Sequence, residues 1–380
     1  MLNFSLSPEQ EALRDGLRSF LRKECPPEYV RACDEEARFP EELFRKLADQ
    51  GWLGLPIPEA YGGTGASCMD LIVFLEEFAH TFEAGANIFY TTIVIGADML
   101  THFGSEEQKR KLLPRLAKGE IRFAFSVSEP DSGSDAAALR TRAQLDGDHW
   151  IVNGQKMFCS CAQEADYILL LARTAPDAPK QEGITMFLID PRTPGVELRK
   201  IKKLGLKPMD INEIFLTDVR VPRDDVVGGV NKGWTNVLKS FDYERCCLSA
   251  VNVGASQACF DLALAYAKQR KQFGRPISEF QPIKGKLVDM DMEISASRML
   301  VHRSAWEVDR GTNNSRSSGL ARLKSAETYM KAALEGMRIM AGWGFLMEFD
   351  MQRHYRDARL AEIAPTPEIL RLVIGRELLR

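Results

Sequence analysis

Phe123-Ala-Phe-Ser-Val-Ser-Glu-Pro-Asp-Ser-Gly-Ser-Asp135 marks the point at which a helical chain becomes rich in strands. Phe123, Phe125 and Val127 alternate with small residues, which predicts a half-buried strand, and the proline and glycine that follow predict a tight turn. The hydroxyls and free backbone donors of this turn suit a polar heterocycle or a carbonyl, although an ordinary surface turn has a similar composition. Residues outside the stretch must decide between the two.

Length and charge exclude several classes of protein. A chain of 380 residues is too long for one core and predicts two or three domains. The formal net charge of −3 argues against a nucleic-acid partner, which requires a basic face. We find no apolar run of membrane-spanning length and no secretion signal at the N-terminus, so we expect no membrane association.

The cysteine and histidine residues predict neither a metal centre nor disulfides. The eight cysteines include no Cys-x-x-Cys pair, and the five histidines are scattered. Reduced thiols are typical of a cytoplasmic protein, which is the location we expect. Because the chain has neither Gly-x-Gly-x-x-Gly after a strand nor a Walker sequence, a nucleotide cofactor would have to bind in another way.

The order of predicted elements is helical, then strand-rich, then helical. Capping boxes at Ser7–Gln10 and Ser105–Gln108 begin helices in the first region. Strands follow to about residue 230, with Asn153-Gly154 predicted as a hairpin turn in an antiparallel sheet. Four predicted helices, at roughly 233–270, 282–310, 315–341 and 366–379, are enough for a bundle. We therefore expect an α+β, mainly α protein with an all-helical domain at 1–121, an antiparallel β-barrel or sandwich domain at 122–230 and a helical bundle at 231–380.

Glu244 is the carboxylate most suited to chemistry. It shares one helical stripe with Val237, Phe241, Leu248 and Val251. A carboxylate on a buried face has a raised pKa and is suited to act as a base. The alternative is a structural salt bridge, with the adjacent arginine or with one on another helix.

Two further groups of residues have a functional and a structural interpretation. The cations Lys268, Arg270, Lys271 and Arg275 either complement a helix dipole or bind a phosphate or pyrophosphate. On a predicted strand, Phe158-Cys-Ser160 would point a ring and a hydroxyl to one side. That pair would stack on and hydrogen-bond a flat heterocycle, although an aromatic residue in a strand is more often core.

Several motifs in one order resemble the acyl-CoA dehydrogenase family over nearly the whole chain. They are Ser128-Glu-Pro-Asp-Ser-Gly-Ser-Asp135, Asn153-Gly-Gln-Lys-Met-Phe158, Lys203-Leu-Gly-Leu, Arg270-Lys-Gln-Phe-Gly274, Gly342-Trp-Gly-Phe345 and Arg356-Asp-Ala. The helical, strand-rich, helical order agrees with the architecture of that family. The resemblance implies a flavoenzyme with FAD held between the strand domain and the C-terminal bundle.

By position, the resemblance also implies contacts for the cofactor and the substrate. The implied FAD contacts are Phe125, Val127, Ser128, Phe158, Ser160, Arg270, Phe273, Gln281, Arg338, Gly342, Thr366 and Glu368. The implied substrate contacts are Ser134, Asp242 and Arg245. Since Arg270, Phe273 and Gln281 would reach the FAD of a neighbouring subunit, we expect a homodimer or homotetramer.

The implied reaction is α,β-dehydrogenation of an acyl thioester, carried by coenzyme A or by an acyl carrier protein. An electron-transferring flavoprotein would then reoxidise the flavin. Most family members place the base just before the last helix, but Ala364-Pro365-Thr366-Pro367 stands there and has no carboxylate. The isovaleryl and long-chain branches instead place it on the earlier helix, where Asp242-Tyr-Glu244-Arg matches. The resemblance and the periodicity therefore both predict Glu244 as the base.

Other departures from the family pattern keep alternatives open. Arg338 replaces a glutamine that usually contacts FAD, Trp343 replaces an asparagine, and Cys161-Ala162 replaces Asn-Gly. One alternative is a flavin oxidase or monooxygenase on the same fold. The other is a non-catalytic FAD-binding subunit of a heteromeric dehydrogenase. Composition indicates neither the acyl chain length nor the carrier.

Overall fold

Two groups of helices flank a strand-rich region in the computed structural model, which describes residues 5–312, 315–364 and 367–379. The N-terminal helices are α1 Pro8–Glu24, α2 Pro27–Glu36, α3 Glu41–Asp49, α4 Cys68–Phe89, α5 Ile95–Phe103 and α6 Glu106–Ala117. The capping boxes predicted for α1 and α6 are confirmed, with Ser7 and Ser105 each accepting a hydrogen bond from the third helical residue. A π-helical turn, Tyr90–Val94, joins α4 to α5 in the buried middle of this region.

The central region is one large sheet. Its strands are β1 Phe123–Ser126, β2 Arg142–Asp146, β3 His149–Ser160, β4 Tyr167–Arg173, β5 Ile184–Ile189, β6 Val196–Lys200, β7 Ile211–Pro222 and β8 Val226–Val227. They run in the order β6-β7-β3-β2-β4-β5-β8, with β1 beside β4. Most pairs are antiparallel, as predicted, but β1 pairs with β4 in parallel and β2 meets β4 in parallel at one residue. The long connection from β1 to β4 makes the parallel pairing possible.

The hairpin predicted at Asn153-Gly154 is wrong. Strand β3 runs straight through both residues, and its register against β7 shifts between Val152 and Gly154. The turn lies earlier, where Asp146 pairs with His149 around a two-residue connection. A Cβ on Gly154 would lie 2.5 Å from the Thr141 hydroxyl, so this glycine serves a bulge and a close approach of two strands.

The C-terminal region contains one helix more than predicted. Its helices are α7 Gly233–Gln269, α8 Gln281–Asp309, α9 Ser315–Met340, α10 Met351–Ile363 and α11 Pro367–Leu378, and the short strands β9 Lys271–Gln272 and β10 Arg275–Pro276 join α7 to α8. The sequence of α10 lacks an apolar stripe because it buries Arg353, His354 and Asp357. The helical period was therefore not visible in its hydrophobic pattern.

Helix α7 is the central packing element of the molecule. It packs against α4, α8 and α9, and Val237 and Val251 are fully buried on it. By length and composition α7 would cross a membrane, but 67% of its most apolar window is buried inside the fold. It therefore has the properties of a core helix in this structure. The elements change type near residues 121 and 230, and the division into three domains stays a prediction.

Candidate active site

A cavity of about 280 Å³, which we call the main cavity, opens where the sheet meets both groups of helices. Its sheet wall is formed by Phe125, Phe158 and Ser160, with Leu206 and Met209 beside them. The facing walls come from α4 with the π turn, α7, α9 and α10, and contribute Asn87, Tyr90, Thr91, Glu244, Leu248, Asn252, Arg322, Leu360, Ala361 and Ala364. The structure thus brings together four predicted site residues that lie as much as 119 positions apart.

An irregularity in β3 presents Phe158 and Ser160 to the cavity. Phe158 has φ 61°, and the β3–β7 register shifts between Lys156 and Cys159. A positive φ at an aromatic residue is costly, and such strain often occurs at functional sites. The Phe158 ring is 62% exposed, so it lies at the mouth of the cavity and not in the core.

A buried ion pair supports the loop behind this wall. The Lys156 ammonium lies 2.9 Å from Oε1 of Glu129 and donates a second hydrogen bond of 3.0 Å to the Val127 carbonyl. Glu129 also accepts from the main-chain N–H groups of Arg140 and Thr141, at 2.6 and 2.9 Å. Burial alone would raise the pKa of Glu129, but Lys156 and these donors hold it below its ordinary value. The ion pair therefore fixes the beginning of the 127–141 loop to strand β3.

Glu244 faces the sheet wall from α7, in the stripe that its spacing predicted. Burial raises the pKa of Glu244, while the nearby Arg245, Tyr90 and Arg322 offset part of that effect. Among the described residues, Glu244 forms no ion pair within 4 Å. Arg245 instead pairs with Asp242, with 3.0 Å between Nη1 and Oδ1. The structural alternative, a salt bridge from Glu244 to its neighbour, is therefore not realised.

Tyr90 and Arg322 approach Glu244 from two other elements. Tyr90 lies at the start of the π turn, and burial together with the Glu244 charge raises the pKa of its phenol well above 10. Arg322 is buried on α9, where burial lowers the pKa of its guanidinium to about 10. The result is a carboxylate, a phenol and a guanidinium around one cavity.

Sequence reasoning missed Tyr90 and Arg322 for different reasons. Tyr90 lies within an apolar run, where an aromatic residue predicts a position in the hydrophobic core. Arg322 is the one large cation among small buried residues of α9 that include Ser318, Ala321 and Ser325. That spacing was the available signal, since a buried arginine requires a counter-charge or a ligand.

The other predicted site residues fall in separate places. Val127 and Ser128 continue from β1 but do not line the cavity, and the Ser128 carbonyl accepts from Met157 N at 2.8 Å. Asp242 accepts hydrogen bonds of 2.8 Å from Ser315 and Ser318, away from Glu244. Ser134 is exposed on the loop before β2.

A second cavity, of about 530 Å³, contains Arg270 and Gly342 together with Trp343. Glu368 lines a third, of about 190 Å³, next to Arg322. Three predicted residues are exposed on the surface. Phe273 and Gln281 lie near the second cavity, and Arg338 lies on α9. Phe273 is 93% exposed and Arg338 pairs with Glu335. Thr366 lies outside the described residues.

The main cavity fits a flat heterocycle on its sheet side. Phe125 and Phe158 supply two aromatic rings to the cavity lining, and Ser160 supplies a hydroxyl. The helical side supplies a base of raised pKa. This combination is suited to removing a proton from a carbon acid beside a bound ring.

Three family models match consecutive parts of the chain. The acyl-CoA dehydrogenase N-terminal domain matches residues 7–120, the middle domain matches 124–219 and the C-terminal domain matches 231–379. Together they cover nearly all of the sequence.

Individual proteins resemble the chain over its full length. A probable acyl-CoA dehydrogenase, YngJ, of Bacillus subtilis is 36% identical over 381 residues, covering 100% of both chains. The structure of the prolyl acyl carrier protein oxidase AnaB superposes with a TM-score of 0.94 at 28% identity, covering 98% of this chain and 100% of that one. The FAD complex of PigA superposes with a TM-score of 0.94 at 27% identity, covering 99% of both.

Proposed function

Because the chain belongs to the acyl-CoA dehydrogenase family, we propose that it is an FAD-dependent oxidoreductase that converts an acyl thioester to its 2-enoyl thioester. The observation that carries this proposal is the position of Glu244, a carboxylate of raised pKa that faces Phe158 and Ser160 across one cavity. Such a group is matched to abstraction of a weakly acidic α-proton.

FAD is the cofactor of the family, and the sheet wall fits its ring system. Phe125 and Phe158 would hold the flat faces, and Ser160 would donate its hydroxyl to the ring edge. Val127 and Ser128 would supply the loop along that edge, which the Glu129–Lys156 pair keeps in place. When bound, FAD supplies the acceptor for the hydride that leaves the β-carbon.

Glu244 would take the α-proton of the thioester. The electron pair of the broken C–H bond forms the new double bond as the β-hydrogen leaves with its own electron pair. Ala364 or Pro365 stands where most family members place their base, which supports α7 as the source of the carboxylate in this chain. Asp242, Arg245 and Ser134 would contact the thioester carrier.

Arg270, Phe273 and Gln281 would complete the FAD site of a second subunit. They lie outside the main cavity of their own chain, and Phe273 is almost fully exposed. Arg338, Gly342, Glu368 and Thr366 would bind the remainder of the cofactor. This arrangement requires a homodimer or homotetramer, and light scattering would measure the molar mass of the assembly.

The carrier and the electron acceptor are parts of this proposal. Coenzyme A is favoured by the similarity to YngJ, and a carrier protein by the similarity to AnaB. We propose an electron-transferring flavoprotein as acceptor. The similarity to AnaB, an oxidase, makes oxygen the second candidate. Reoxidation of the reduced enzyme in air-saturated buffer, compared with reoxidation by an electron-transferring flavoprotein without oxygen, distinguishes the two.

The proposal is tested by mixing the purified holoenzyme anaerobically with acyl thioesters of coenzyme A and of a carrier protein. We expect loss of the flavin absorbance band with at least one of them. In Glu244→Gln the rate of that loss is expected to fall by about 10²–10⁴-fold, with FAD still bound.

Glu107→Gln, an exposed carboxylate on α6, is the matched control and should react like the wild type. If Glu244→Gln reduced its flavin at the wild-type rate, α7 would not supply the base. A homomer that binds FAD but whose flavin is reduced by no thioester would instead support the non-catalytic alternative.

A further inference from the structure

The Arg322 guanidinium has buried hydrogen-bond donors that none of the described residues uses. Its side chain is 4% exposed, and Nη2 donates to the main-chain oxygen of Ala364. Nε and Nη1 are buried and have no partner within the described ranges. Buried polar groups in proteins are almost always hydrogen-bonded, so two such donors on one charged side chain indicate a ligand.

Arg322 lines the main cavity as well as the neighbouring cavity of about 190 Å³. Arg322 lines the cavity with Glu244 and Tyr90, yet it makes no ion pair within 4 Å in the part of the chain that the structure describes. The Tyr90 hydroxyl, also buried, lacks a hydrogen-bond partner there as well. Because arginine has donors only, the group that satisfies it must be an acceptor.

We propose that Arg322 binds an oxygen acceptor on the acyl group itself, so that the substrate is a polar acyl thioester and not a simple fatty acyl chain. This inference rests on the proposed function, since it concerns the substrate of the same site. A hydroxyl, a carbonyl or a carboxylate oxygen has the required chemistry. A guanidinium that meets an apolar tail leaves its donors unsatisfied, which discriminates strongly against that tail.

Thioesters matched in size test the inference. The first pair is 4-hydroxybutyryl-CoA and pentanoyl-CoA, which differ by a hydroxyl in place of a methyl group. The second is succinyl-CoA and 4-methylpentanoyl-CoA, in which a carboxylate replaces a branched alkyl end. We expect anaerobic flavin reduction to be at least about tenfold more efficient for the polar member of one or both pairs. The pair that responds shows whether the acceptor is neutral or charged.

Two substitutions test whether the Arg322 side chain causes the preference for polar thioesters. Arg322→Met should remove the preference, Arg322→Lys should retain part of it, and both should keep bound FAD. Arg316→Met makes the same change at an exposed position of α9 and should leave the preference unchanged.

The outcomes separate this inference from the proposed function. If the apolar member of both pairs is reduced as efficiently as the polar one, the donors serve water or the fold, and the inference is overturned while dehydrogenation stands. It is also overturned if Arg322→Met keeps the preference. If no thioester on either carrier reduces the flavin, the proposed function itself fails.

Discussion

Two buried sites in this molecule each bring a glutamate near a cation, and they differ in how completely the charges are satisfied. At the base of the 127–141 loop, Lys156 contacts Glu129 directly and donates to the Val127 carbonyl, and Glu129 also accepts from two main-chain N–H groups, although burial still lowers the pKa of Lys156 to about 8. In the main cavity, Glu244 and Arg322 influence each other's pKa but form no ion pair. The Lys156 charge and the hydrogen bonds to Glu129 hold the pKa of Glu129 low, whereas desolvation raises the pKa of Glu244.

The difference separates a structural role from a chemical one. A saturated pair has no capacity left for a ligand, and it stabilises the loop that contains it. An unsaturated pair costs stability, because its groups have lost water without gaining full partners. Natural proteins retain such costs mainly where a ligand or a reaction uses the groups. The comparison therefore predicts opposite effects of substitution at the two sites.

The largest expected effect on stability is at Lys156. Lys156→Met leaves the Glu129 carboxylate buried without its cation, which should lower the free energy of unfolding by about 3–5 kcal/mol. The double change Glu129→Gln with Lys156→Met should recover much of that loss, since no uncompensated charge remains. Denaturant unfolding of the two variants measures both. Equal losses in the single and double variants would contradict the assignment of the effect to the unpaired charge.

At Glu244 we expect the opposite sign. Because its folded-state pKa lies above the ordinary 4.5, ionisation costs stability, and the cost is absent below that value and complete above the raised pKa. Glu244→Gln should therefore be more stable than the wild type at neutral pH, by about 0.5–2 kcal/mol. The gain should shrink as the pH is lowered through the raised pKa toward 4.5. Thermal melts from pH 4 to pH 8 check this, and a gain independent of pH would contradict it.

A smaller effect is expected in the pH profile of flavin reduction. The rate should rise with pH as Glu244 loses its proton, with a midpoint above 4.5. Charged or titratable groups face Glu244 from the π turn, α5, α7 and α9, namely Tyr90, Asp98, Arg245 and Arg322. Removing one cation, in Arg322→Met, should move the midpoint to higher pH. Stopped-flow reduction across pH measures the midpoint, and a shift to lower pH would show that Arg322 does not stabilise the ionised base.

The smallest effect is expected at an exposed pair between the loop that contains Glu129 and the β4–β5 connection. Lys180 lies 2.8 Å from Asp135, but about half of each side chain is in solvent. Lys180→Ala should change the free energy of unfolding by no more than about 1 kcal/mol, because water screens the pair. The same unfolding experiment measures it beside Lys156→Met. A loss as large as that of the buried variant would mean that charge alone, and not burial, sets the cost.

Local patterns predicted much of the fold. The capping boxes, the strand-rich region before residue 230 and the three longest C-terminal helices were visible because each carries its own period or cap. The predicted turn at Asn153-Gly154 and the missing α10 show the limit. A glycine in a bulge and a helix that buries charges both depend on neighbours from distant parts of the chain.

The sequence by itself determined the order of helical and strand-rich regions, the family resemblance and the candidacy of Glu244, because each of these rests on residue patterns along the chain. Only the tertiary structure decided which groups surround that carboxylate. Tyr90, Glu244 and Arg322 come from three helical elements, and burial, pKa and unused donors arise only when those elements pack together. The chemistry of the site is therefore a property of packing, since desolvation and long-range pairing have no counterpart in a linear pattern.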